Sequence, residues 1–244
     1  MDHNGKKKYM TPQNSLKIGI FGAILTLIGD LLIGAVRFPE GSNMLEGYFA
    51  IALEMPVWRP ILGGMIGFLG ISLEFFGLMA ICPLIEKHMP KAGWFYKLSA
   101  YVYLAVAGGA VHLPCGTFMW IYKSVTEAAG QEIGYDIAMK YLLYFLIPVA
   151  VVFMVFFIGS NVIQFIAFAG GKTPFPRWYC VFNLLTGQIL FNSVRRLGNT
   201  ALINGIGTSN KSLGAIVMFV ALLISWERYA GKEKGTDVIA EVRK

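Results

Sequence analysis

A chain of 244 residues that is 56% hydrophobic and only 14% charged lies outside the composition of soluble domains, where about a quarter of residues carry charge. With a mean hydropathy of +0.59 it reads as a polytopic membrane protein, and its formal net charge of +7 does not point to nucleic acid, because the basic residues gather at the ends of apolar runs. The three cysteines, Cys82, Cys115 and Cys180, all fall inside apolar runs and form no close pair, which excludes a secreted disulfide framework.

A helix needs about 20 apolar residues to cross about 30 Å of hydrocarbon. Six such stretches are expected, at 18–36, 61–85, 96–122, 141–168, 178–194 and 202–226. They are too long and too continuously apolar for the alternating strands of an outer-membrane barrel, so the expected fold is an all-α six-helix transmembrane bundle. A basic cytoplasmic N-terminus at 1–17 and a charged cytoplasmic tail at 227–244 flank it. Lys6, Lys7, Lys8, Lys17, Lys87, Lys91, Lys172 and Arg177 share one side when both termini are cytoplasmic, which favours that orientation in a cell membrane. The first run is too long for a signal peptide and lacks a small-x-small cleavage site, so it is expected to be retained.

Between the first two spans, FPEGSNMLEGYFAIALEMPVWRP at 38–60 is too acidic to cross, yet Leu45, Tyr48, Phe49, Ala52 and Leu53 share a helical face. An interfacial helix in the first outer loop follows, with Ser42 as its N-cap, Pro56 as its stop, and Trp58 and Arg59 as anchors. In the second span Gly63, Gly67, Gly70, Glu74 and Gly77 recur at spacings of four, three, four and three. Small residues on one face let a neighbouring backbone approach, so Glu74 is expected to point into the bundle, where an acid facing lipid would cost about 2.5 kcal/mol or more.

At 1.5 Å per residue, Asp30 in the first span and His112 in the third lie about 5 Å to the outer side of the midplane, with Glu74 near it. His112 precedes Pro114, whose missing N–H permits a kink. In the fifth span Gln188, Asn192, Arg195 and Arg196 climb towards the outside, and Ser209, Asn210 and Lys211 enter the sixth from the same side. Asn161 and Gln164 are the polar exceptions in the inner half. Intramembrane ionisable groups that converge mark a functional site by default.

The expected function is therefore a polar cavity in the outer half of the bilayer that binds or transports a small polar or lipid-derived anionic ligand. Gln188, Asn192, Arg195, Arg196, Ser209, Asn210 and Lys211 are its candidate binding residues, and Asp30 and Glu74 its proton-sensitive elements. The first alternative is an intramembrane enzyme acting on a lipid or lipid-linked substrate, with His112 as general acid/base assisted by Asp30 or Glu74; Ser209 as a nucleophile would complete a triad with His112 and Asp30. The second is a structural or accessory subunit in which the polar set is glue between helices. Membrane lipids and the ligand are the expected partners, with a homo-oligomer open, no nucleic acid and no metal site; the sequence names no cofactor.

Overall fold

The computed structural model describes residues 10–230, so the lysine run at 6–8 and the tail beyond 230 lie outside the described residues. Every regular element among the described residues is helical. Five helices are long and apolar enough to cross a membrane: α1 (Pro12–Gly34), α3 (Trp58–Glu86), α4 (Pro90–Ala129), α5 (Gln131–Ala169) and α8 (Asn210–Tyr229). Three shorter ones complete the set, α2 (Met44–Glu54), α6 (Leu184–Ser193) and α7 (Ala201–Thr208).

The seam between α1 and α3 is built on glycine. A Cβ added at Gly22 would lie 2.6 Å from the Gly70 carbonyl oxygen, and one at Gly29 would lie 2.5 Å from that of Gly63. Backbone meets backbone there, which is the close approach that small residues permit in a medium where packing, rather than water exclusion, drives helix association. Gly67 has a different neighbour, the His112 imidazole, whose Nε2 occupies the space of a Cβ.

α4 and α5 each contain a π-helical stretch, Tyr103–His112 and Leu142–Leu146. Each ends two residues before a proline, Pro114 and Pro148. The proline cannot donate to the carbonyl four residues back, and the residue before it bonds five back instead: Leu113 N–H to Gly108 and Ile147 N–H to Leu142. Widened turns of this kind replace the kink expected at Pro114. The two helices meet at Gly130, whose φ of +94° makes a one-residue turn that favours glycine, so the polar stretch after Tyr122 continues both helices as a hairpin.

α2 lies against that hairpin, with Phe49 edge-on to Phe118 and Tyr122. Asn43, not Ser42, caps its N-terminus: Asn43 and Glu46 exchange hydrogen bonds in a capping box, whereas Ser42 Oγ donates to the Pro39 carbonyl. At the other end Lys123 Nζ donates to the carbonyls of Leu53 (2.7 Å) and Met55 (3.0 Å), satisfying the open C-terminal groups of α2.

The stretch expected as a continuous fifth span is broken. Arg177–Val181 and Val194–Leu197 are 3₁₀ turns on either side of the ten-residue α6, itself about 15 Å long at 1.5 Å per residue. The interruption has its partners supplied by α5: Gln164 Nε2 donates to the Phe182 carbonyl (2.9 Å) and Asn161 Oδ1 accepts from Leu185 N–H (3.1 Å). Backbone interrupted in this way and covered by protein needs such partners, which gives Asn161 and Gln164 their place on an otherwise apolar helix. Along its length this segment follows α8 and α7, with Tyr179 bonded to Ser225, Gly187 against Gly214, and Arg195 bonded to Thr208.

Candidate functional site

At the α2 end of the bundle, a cavity of about 400 Å³ lies between α1, α4, α5, α6 and α8. Met44, Leu45 and Tyr48 of α2 reach it from above, and both π-helical stretches face it, through Tyr103, Ala107, Val111 and His112 on one wall and Leu142 and Leu146 on another. Most of the lining is apolar, and Phe153, Ile71 and Phe118 supply much of it. π-bulges recur at functional sites because the extra residue re-aims side chains, and here they widen the space that regular helices would fill.

Five of the residues singled out from sequence line this cavity: Asp30, His112, Gln188, Asn210 and Lys211. Asp30 is held on two sides, accepting from Ser212 Oγ (2.8 Å) and facing His112 Nδ1 at 3.6 Å. The second imidazole nitrogen, Nε2, faces the Gly63 carbonyl at 3.4 Å. A neutral ring donates to one of these acceptors, and a protonated ring to both.

Glu74 is 1% exposed and stands behind the cavity wall rather than on it. Its two oxygens accept from Thr26 Oγ1 and Tyr103 Oη, each at 2.6 Å, so hydroxyls from α1 and α4 close over the acid. Short hydroxyl-to-carboxylate bonds are the strong kind, and they leave Glu74 no free direction towards a ligand.

Lys211 is different. Its Nζ lies 5.3 Å from the centre of the Phe153 ring and 5.7 Å from that of Phe157. Among the described residues it has no carboxylate within ion-pair distance. Nearby, Gln188 Oε1 and Asn210 Oδ1 are buried without a hydrogen-bond partner, although Asn210 Nδ2 donates to the Gly207 carbonyl (2.6 Å). The cavity thus combines a mostly apolar lining with one ammonium that has no carboxylate partner among the described residues, the composition of a small-molecule pocket.

The remaining candidates sit elsewhere. Ser209 is fully buried and does not line the cavity, and its hydroxyl has no partner. Asn192, Arg195 and Arg196 line a separate, open recess of about 470 Å³ with Ile189 and Ser193. Arg195 links the two spaces: its Nη2 donates to Thr208 Oγ1 (2.9 Å), which is also 3.0 Å from Tyr48 Oη and faces the cavity. No group of three or more His, Cys, Asp or Glu side chains able to hold a metal occurs among the described residues.

Hydroxyl residues are what sequence reasoning missed. Thr26, Tyr103 and Ser212 bond the acids, yet a hydroxyl hardly alters hydropathy and gives little signal inside an apolar run. Thr26 alone had a readable position, one helical turn before Asp30.

No curated protein and no solved structure matches the chain. A family model does, over residues 1–229, and the chain belongs to that family of unknown function, DUF6796.

Proposed function

We propose that this member of the DUF6796 family is a binding or transport protein for a small amphipathic ligand, polar or lipid-derived, with an anionic group. The reading rests on one observation, the mostly apolar 400 Å³ cavity lined by Lys211, Gln188 and Asn210, in which the lysine has no carboxylate within ion-pair distance among the described residues. The anionic group pairs with Lys211, hydroxyl or amide donors reach Gln188 and Asn210, and the apolar body lies along Ile71, Phe118 and Phe153. Arg195 and Arg196, on the separate recess, do not hold this ligand.

The protein sits in the cell membrane with both termini cytoplasmic, and the broken segment from Arg177 to Leu197 makes a sixth crossing. Its antiparallel course beside α8, from Tyr179 at Ser225 to Arg195 at Thr208, supports that count. α2 is then the interfacial helix, roofing the outer mouth of the cavity.

Native mass spectrometry of gently purified protein tests the reading. Wild type is expected to retain a small molecule that Lys211→Met loses and Arg37→Gln keeps; wild type and Lys211→Met carrying the same retained masses, or none, would sink it.

One contact favours a second reading, an intramembrane enzyme acting on a lipid or lipid-linked substrate. His112 and Asp30 face each other at 3.6 Å on the cavity wall, the arrangement of an oriented general base. Chemical conversion of the retained molecule by wild type and not by His112→Gln, with binding preserved, would select it over transport.

A further inference from the structure

The arginine recess is a separate space from the cavity, joined to it through the Arg195–Thr208 contact, and has its own chemistry. Asn192, Arg195 and Arg196 are placed together because the chain tightens from α-helix into the 3₁₀ turn Val194–Leu197 and then leaves it at Gly198, whose φ of +144° favours glycine. Neither guanidinium has a carboxylate within ion-pair distance among the described residues. Arg195 spends Nη2 on Thr208, while its Nε is buried without a partner. Arg196 is exposed, and no hydrogen bond among the described residues occupies it.

Around these charges the surface is apolar. Ile189, Leu190, Leu197 and Leu202 are 66%, 61%, 77% and 70% exposed, a degree of exposure that suits acyl chains and not water. Two uncompensated guanidinium groups at the edge of such a surface are costly unless an anion joins them. The Arg196 fork, the remaining Nη1 of Arg195 and the Asn192 amide together can donate from several directions, which fits a phosphate with its several oxygens.

We propose that this recess is a phospholipid site, with the head-group phosphate held by Arg195, Arg196 and Asn192 and an acyl chain lying along Ile189 and Leu190. The site does not depend on what the cavity binds.

The test uses full-length protein stripped of lipid in detergent, offered phosphatidylglycerol, a phosphate-free diglycosyl lipid, or inorganic phosphate, with occupancy read by native mass spectrometry. Wild type is expected to hold one phosphatidylglycerol in preference to the glycolipid. Arg196→Gln and Asn192→Leu should each need more lipid for the same occupancy, about tenfold for the arginine, the loss of one charge-assisted contact. Arg37→Gln removes an arginine outside the recess and should match wild type. Equal occupancy in wild type and Arg196→Gln would overturn the proposal, as would an equal fall in Arg37→Gln or equal binding of the glycolipid. Displacement of the lipid by millimolar inorganic phosphate would reassign the recess to a soluble phosphate compound.

Discussion

Two buried charges in this protein have opposite surroundings, and the contrast separates structure from function. Glu74 sits in a seam where glycine backbones touch and two hydroxyls close over the carboxylate. Lys211 lines the cavity beside the rings of Phe153 and Phe157, with no carboxylate within ion-pair distance among the described residues. From sequence alone Glu74 is the more arresting, an acid in the middle of an apolar run. Its saturation makes it a joint between α1, α3 and α4, whereas the lysine without a carboxylate partner is the group that the proposed ligand would complete.

The contrast can be broken at its tightest point first. Gly22→Val would drive a side chain into the Gly70 carbonyl and the Glu74 amide, neither of which can retreat, and should lower stability by about 3 kcal/mol or more. Thermal unfolding in detergent measures it; an unchanged melt would mean the helices are not seated as described. Glu74→Leu is expected next, with a loss of about 2 kcal/mol because Tyr103 loses its acceptor and Thr26 keeps only the Gly22 carbonyl. Lys211→Met should behave inversely, staying within about 1 kcal/mol of wild type while abolishing retention of the ligand. If Glu74→Leu melted like wild type and released the ligand, the roles assigned to the two charges would be exchanged. The smallest effect belongs to Tyr48→Phe, which removes the hydroxyl bonded to Thr208; stability should fall by less than about 1 kcal/mol, while bound ligand should dissociate several times faster in a chase experiment.

Hydropathy made much of the fold legible, because spans announce themselves by length. α1, α3, α4, α5 and α8 all contain stretches expected to cross. The broken segment around α6 escaped notice since Trp178 to Val194 carries no charge; the groups that satisfy the break lie on another helix, in Asn161 and Gln164. Within the site, charged residues were easy to nominate, and Asp30, His112 and Lys211 do line one cavity. What one-dimensional spacing could not supply was where the cavity ends along α6: Gln188 lines it, whereas Asn192, one turn further on, lines the recess. Nor could it rank saturation, since the hydroxyls that close over Glu74 come from residues 48 positions before it and 29 after it.

The anchoring of α2 carries a last consequence. Lys123 grips the two final carbonyls at its C-terminal end, and the capping box keeps its first turn wound, so α2 behaves as a stiff plank fastened along one edge. Met44, Leu45 and Tyr48, the residues over the cavity, belong to the opposite end, which follows Gly41 with its φ of +79° and open surroundings. On the proposed reading, an opening of the cavity at Met44 would leave the Lys123 end of α2 in place, and the contact between Tyr48 and Thr208 is where the rate of ligand exchange would be set without altering the lining below.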